Sequence, residues 1–419
     1  MLVTFLALFV LRSATQVFLH RLNVSFLRRE GDRVPDGFQD IIDREKLKKI
    51  SAYTVDSAKV SMAATLFNQA VLLTILLSGF LPWLTETIHH WGLGEIAGGL
   101  AFFAILSIGT HILSLPFSLY DTFVIEDRYG FNTMTFGMWL SDLAKGLVLS
   151  AILGGLVLWG LLALVVYAGF MWWIWAWVSL GLFELLMLWL FPLVIAPLFN
   201  KFEPVENKDL EQQIDTLMGK VGLRVKGVFK MDASKRSKHT NAYFTGVGRS
   251  KRIVLFDTLL ESHAEEEILA VLAHEIGHWK KKHMLRQLLL LEIVSLAGLY
   301  AAARFLDWPL LYETFSFGEV IPYVGLYLIG TGFSLINYFA QPLESAISRR
   351  FEREADDFSL TLMKVADPLV KALKRLATDN LSNLNPHPVY AWFYYSHPPL
   401  AERIKRLAKR ERNGPASGP

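Results

Sequence analysis

Residues 262–283 read SHAEEEILAVLAHEIGHWKKKH, and the apolar run MLRQLLLLEIVSLAGLYAAARF follows at 284–305 without a break. The first stretch is expected to be a helix from Ser262 to about Lys282. Ser262 and Glu265 have capping-box spacing, three glutamates suit the positive N-terminal end, and three lysines suit the negative end. Within it His274-Glu275-Ile276-Gly277-His278 is an HExxH. Residues four apart share one helical face, so both imidazoles can reach one ion. Zn²⁺ accepts two histidine nitrogens plus a carboxylate and keeps a fourth position open when the site is catalytic. Glu275 projects beside that open position, where it can take a proton from water. The helix then enters a membrane-length apolar run, so the chemistry is expected at a membrane boundary.

The composition agrees with that placement. The chain has 419 residues, of which 53% are hydrophobic and only 19% charged. The charges are gathered between long apolar runs, as in a polytopic membrane protein. A formal net charge of +3 gives no reason to expect a nucleic-acid partner. The absence of cysteine excludes disulfides, thiolate metal sites and cysteine nucleophiles.

Apolar spans are expected at 1–19, 61–88, 95–119, 140–167, 171–199, 284–304 and 320–341, each long enough to cross a hydrocarbon core about 30 Å thick. The fold class that follows is mainly α, with seven transmembrane helices and a small α+β metalloprotease unit. Residues 1–199 hold five spans with a soluble loop at 20–60. Residues 200–283 are the soluble insert, 284–341 the last two spans, 342–412 a helical C-terminal part, and 413–419 a disordered tail. In the insert, Leu210, Ile214, Leu217 and Val221 have helical spacing. Val225–Lys230, Ala242–Val247 and Arg252–Phe256 have strand character, the last two joined through Gly248. Trp172, Trp173, Trp175 and Trp177 resemble an interfacial aromatic belt. The basic segments fall on one side of seven spans, and the opposite loops His89–Gly94 and Tyr167–Phe170 lack lysine and arginine. The positive-inside rule then puts the active domain in the cytoplasm and the N-terminus outside. Asn68, Gln69, His111, Asp142, Lys145, Glu184, Glu292 and Asn337 lie within spans, and either pair between helices or face a hydrated interior.

Two histidines need a third ligand. On its own, Ser348–Asp356 (SRRFEREAD) reads as a solvated charge run; beside an HExxH it offers a carboxylate. Glu352 and Asp356 share a helical face, while Glu354 points about 160° away from Glu352, towards solvent or a basic neighbour. Glu352 is therefore assigned to the metal and Asp356 to a hydrogen bond with a ligating histidine.

HEIGHW, SRRFEREAD and Ser396–Arg403 (SHPPLAER) together resemble the CAAX prenyl protease type 1 family of integral-membrane zinc metalloproteases. So do LPFSLYDTFVIEDRYGFN at 115–132, NAYFTG at 241–246 and KRIVLFDTLL at 251–260. The resemblance covers nearly the whole chain. It implies seven helices around a water-filled chamber with the zinc site at its cytoplasmic end. It also implies His274, His278 and Glu352 as zinc ligands, Glu275 as general base, and His397 as the histidine that stabilises the oxyanion. Arg403 corresponds to the arginine near the ligating glutamate, and Asn241 and Ala242 to the strand that pairs with substrate backbone. The expected reaction is endoproteolysis near the C-terminus of a peptide or protein, lipidated or not, by a monomer surrounded by membrane lipid. The lack of a terminal retrieval signal and a short 305–319 loop point to a bacterial plasma membrane. A quality-control protease of the bacterial heat-shock type carries a similar HExxH and is the alternative. A transporter with an accidental HExxH would show matching interrupted halves, and none is visible.

Overall fold

The computed structural model describes residues 1–413 with the exception of 32, 224–225 and 247–251. Seven helices are long and apolar enough to cross a membrane: Leu2–Glu30, Arg44–Leu77, Glu95–Tyr129, Phe136–Tyr167, Gly169–Phe199, His283–Phe305 and Pro322–Met363. Several run well past the apolar stretch that predicts them. Segment 20–60 is not a loop, because the first helix continues to Glu30 and the second starts at Arg44, where the Asp43 carboxylate accepts from the Lys46 N–H. The run 61–88 is broken at Gly79, whose φ of +80° ends the second helix and starts the short helix Phe80–His90. The seventh helix continues through Pro342 for 42 residues, about 63 Å at 1.5 Å per residue. One rigid element therefore carries both a membrane span and Glu352.

The tryptophans at 172–177 serve packing more than an interface. Trp172 is buried, Trp173 meets Tyr300 edge-on, and Trp177 Nε1 donates to the Glu292 carbonyl at 3.0 Å; of the four, Trp175 is the exposed one. Their indoles tie the fifth helix to the sixth. Several intramembrane polar groups also pair between helices or with the soluble unit. Gln69 donates to Gln16, Ser114 to Asn68, and Arg236 forks onto Asp142 at 2.7 and 3.1 Å.

The soluble unit is a four-stranded sheet with β1 (Phe202–Pro204), β2 (Val228–Met231), β3 (Ala242–Thr245) and β4 (Arg252–Phe256) in the order β1-β2-β4-β3. The β2–β4 pair is parallel and the outer pairs are antiparallel. Ile253, Val254 and Leu255 of β4 are all buried, as a central strand covered on both faces requires. β1 escapes the sequence reading because three residues ending in proline show no alternation. β2 starts at Val228; Val225 and the Gly248 turn lie outside the described residues, as does 414–419 of the expected tail. The helix Lys208–Lys220 presents Leu210, Ile214 and Leu217 to the sheet, with Val221 as its C-terminal cap.

The HExxH helix spans Glu265–Lys280 and is capped differently from expectation. Ser262 ends a preceding helix, Asp257–Ser262, and its hydroxyl is turned back to the Thr258 carbonyl. The Glu267 carboxylate instead accepts from the Ala264 N–H at 3.0 Å. A side chain already committed to its own helix cannot cap the next one.

Buried apolar clusters gather at the two ends of the membrane helices. One joins Leu81, Ile88, Phe102, Leu162, Trp172, Leu306 and Tyr312 around the loops on one side. The others lie in the sheet unit and around Phe38, Leu47, Ile125, Phe131 and Leu381 on the opposite side. Between them the second, fourth and sixth helices each bury only 6% of their most apolar window. A dry bundle would bury one face of every helix, whereas these midsections are covered by little protein and are left to lipid or water.

Candidate active site

The HExxH helix and the C-terminal half of the seventh helix cross at Gly277. A Cβ on that glycine would lie 2.9 Å from Ala355 Cα and 3.1 Å from its carbonyl oxygen. Glycine thus permits the close approach that delivers Glu352 to the two histidines. His274 Nε2 and His278 Nε2 are 3.2 Å apart. Glu352 places Oε2 3.4 Å from His274 Nε2 and Oε1 3.2 Å from His278 Nε2. Spacings of this size are the edges of a tetrahedron with arms of about 2.0–2.1 Å, the usual zinc–nitrogen distance. Glu352 is buried, and its Oε2 has no hydrogen-bond partner among the described residues. Burial alone would lower the pKa of His274, but Asp356 and Glu352 outweigh it and raise it to about 9. A site that draws this much positive charge, with an orphaned carboxylate oxygen, suits a divalent cation.

Behind the histidines stand two buried supports. His274 Nδ1 lies 2.9 Å from Asp356 Oδ1, which fixes the ring so that Nε2 faces the site. Asp356 is itself held by the Arg403 fork, Nη2 to Oδ1 at 2.6 Å and Nε to Oδ2 at 3.0 Å. Both residues are buried, so the pair's charges are compensated by geometry rather than by water. The second support is absent from the sequence reading. His283 Nδ1 lies 3.1 Å from His278 Nδ1, and His283 Nε2 lies 3.1 Å from Glu354 Oε2. The neutral tautomers that satisfy both contacts have His278 Nδ1–H donating to His283 and His283 Nε2–H donating to Glu354. Phe351 stacks on His283 at 4.3 Å. Glu354 meets the basic neighbours expected of it, Arg350 and Arg286, but its third partner is this imidazole. The available signal was a histidine five residues beyond an HExxH, too common a spacing to weigh alone.

Glu275 sits half-buried within the field of His274, His278, Glu352 and Arg403, and burial pushes its carboxyl above the ordinary range. His397 approaches from the open side: its Nε2 is 3.2 Å from Glu352 Oε1 while 62% of its side chain is exposed. Asn241 immediately precedes β3 and Ala242 begins it; the strand pairs with β4 and packs against the HExxH helix. The outer edge of β3 carries no strand partner among the described residues. All nine residues singled out in the sequence therefore belong to one region.

Comparison with known proteins now adds to the geometry. Residues 23–201 match the family described as CAAX prenyl protease N-terminal, five membrane helices, and residues 204–411 match peptidase family M48. The CAAX prenyl protease 1 homolog of Arabidopsis thaliana is 35% identical, covering 89% of this chain and 90% of its own length. The Saccharomyces cerevisiae CAAX prenyl protease 1 is 34% identical, covering 90% and 88%. The Homo sapiens homolog is 31% identical, covering 89% and 88%. The crystal structure of S. mikatae Ste24p superimposes with a TM-score of 0.91 over 97% of this chain and 98% of that one, at 31% identity.

Proposed function

This chain belongs to the CAAX prenyl protease 1 family of M48 peptidases, and from that premise we propose a membrane zinc endopeptidase acting near the C-terminus of peptide substrates, prenylated or not. The observation that carries this reading is the convergence of His274, His278 and Glu352, whose donor atoms lie within 4.8 Å of one another. These three residues would hold the ion. Zinc, when bound, supplies Lewis acidity that lowers the pKa of water towards about 7 and polarises the scissile carbonyl. Glu275 takes the proton of the attacking water and returns it to the leaving amine. The raised pKa of its carboxyl brings it nearer the pH at which it must do both. His397, exposed on the open side, donates to the developing oxyanion. Asp356 and Arg403 hold His274 in the tautomer that leaves Nε2 free.

The substrate is read as an extended chain added to the outer edge of β3 at Asn241 and Ala242, where backbone amides pair with little side-chain selectivity. It reaches that edge from the chamber, with lipid around the helices and one chain as the working unit. The site is assigned to the cytoplasmic side with the N-terminus outside. The loops 78–94 and 306–321, on the far side, contain no lysine or arginine, whereas the site end carries the basic segments.

A cleavage assay tests this directly. Purified protein is given a farnesylated C-terminal peptide and its unprenylated twin, with and without a chelator. Chelator-sensitive cleavage of either peptide near its C-terminus is expected, and the ratio of the two rates reads the contribution of the lipid. Cleavage insensitive to chelation, or none with either peptide, would remove the assignment.

A further inference from the structure

β3 is only four residues long, and its N-terminal approach is held by an unusual set of contacts. Asn380, just beyond the helix Asp367–Asp379, accepts from the Thr240 N–H through Oδ1 at 3.0 Å and donates to the Thr240 carbonyl through Nδ2 at 3.2 Å. This pair of hydrogen bonds imitates a strand neighbour and permits only one orientation of the amide. Asn380 Oδ1 therefore faces His239 Nδ1, 3.0 Å away, and that nitrogen must bring a proton. The other ring nitrogen, Nε2, lies 3.1 Å from Glu126 Oε2. Glu126 ends a π-helical turn, Asp121–Glu126, of the third membrane helix, and its Oε1 accepts from the Tyr53 hydroxyl of the second at 2.6 Å. A carboxylate engaged in this way accepts from Nε2–H as well. Phe131 stacks on the ring at 4.0 Å, and Thr258 Oγ1 donates to the His239 carbonyl at 2.8 Å. π-turns inside α-helices cluster at functional positions because they re-aim one side chain. Here the π-turn ends on Glu126.

We infer that His239, carried as a doubly protonated ring between Glu126 and Asn380, is a positioning residue that sets the β3 edge against the metal site for peptide binding. The inference rests on the reading above that substrate pairs with β3. Ala242, the first residue of the strand, is three positions downstream, about 10 Å along an extended chain. The ring ties the strand's approach at once to two membrane helices and to the C-terminal helical part. Burial works against the charged ring, but the hydrogen bonds and charge of Glu126 and Asn380 outweigh it and raise the pKa. The titratable groups facing the ring are Glu126 and, behind it, Tyr53 and Asp121; Asn380 and Thr258 are neutral. Of the cations in the adjoining segment, Arg236 pairs with Asp142 and Asn200 and Lys235 with Asp232, while Lys238 lines the cleft it shares with Phe131 and Thr240. Loss of the proton breaks one of the two contacts, so the strand edge is held firmly below the raised pKa and loosens above it.

The test uses the full chain with its metal and a series of peptides N-methylated at alternate amides. In the natural protein, methylation of the amides that face β3 should raise KM. If no position has any effect, the strand-pairing reading fails and takes this inference with it. Given that effect, His239→Ala should raise KM roughly tenfold with kcat held within about threefold and metal content unchanged. An unaltered KM, or a fall in kcat alone, would overturn the positioning role while leaving strand pairing intact. Should that variant fold poorly, the natural protein and Glu126→Gln decide it. The KM of the natural protein should climb as pH rises from about 6 to about 9, and the climb should begin at lower pH in Glu126→Gln. A KM flat across that range in both proteins would refute the proposal.

Discussion

Gly277 faces Ala355 so closely that a Cβ on the glycine would sit 2.9 Å from the alanine's Cα. The second variable letter of the metal motif is thus a contact between two helices as well as a spacer between two histidines. Backbone atoms cannot yield as a flexible side chain can, so Gly277→Ala must separate the helices. Overpacking of this kind costs about 1–3 kcal/mol. The variant should show a lower thermal midpoint and weaker metal retention, because Glu352 retreats with its helix. Metal analysis after dialysis against a weak chelator checks it; full retention would mean that the helices tolerate the added methyl.

Replacing Glu275 by Gln removes the proton acceptor and changes little else, since the two side chains are nearly isosteric. Hydrolysis should fall by about 10²–10⁴, the usual contribution of a general base, while metal content and thermal midpoint stay near those of the natural protein. Turnover close to normal would assign the base elsewhere.

The two supports behind the histidines can be separated by mutation. Asp356→Asn leaves Arg403 buried beside a neutral amide and frees His274 to adopt the wrong tautomer. Metal affinity or activity should drop roughly 10- to 100-fold. His283→Phe removes the acceptor of His278 Nδ1–H and should weaken metal binding by about tenfold, with Glu354 left on Arg286 and Arg350. Competition against a chromophoric chelator measures both. An affinity unchanged in His283→Phe would make that imidazole a packing residue only.

The chamber can be probed chemically because the chain has no cysteine of its own. Single cysteines at Asn68, Glu184 and Glu292 should react with small water-soluble thiol reagents in folded protein and resist bulky ones. The Glu184 and Glu292 carboxyls face each other, and two such groups at membrane depth need a shared proton or water. Complete protection at all three positions would describe a dry bundle instead.

Much of this protein is legible from local pattern. Membrane-length apolar runs, an i, i+4 histidine pair and an acidic face four residues wide each depend on periodicity along one element, which a sequence displays directly. The family motifs extended that reading to His397, Arg403 and the β3 segment. The ends of the helices were not legible: Arg44 and Glu30 lie in charged stretches, and a helix continues into water once its apolar part is anchored. Capping by Glu267 rather than Ser262 was hidden too, because Ser262 was already bonded within the preceding helix. The His283–Glu354 pair and the Tyr53–Glu126–His239–Asn380 chain join residues 71 to 141 positions apart. Hydrogen bonds between distant elements leave no period in the chain, since each partner needs only the right polar atom at its own position. The sequence by itself determined that an HExxH helix leads directly into a membrane span; the structure divides the two at Lys282, whose φ of +55° ends one helix before the next begins. The tertiary structure alone decided how closely Gly277 meets Ala355, which groups hold each histidine ring, and what anchors the strand edge, because these depend on contacts made only when the helices are packed.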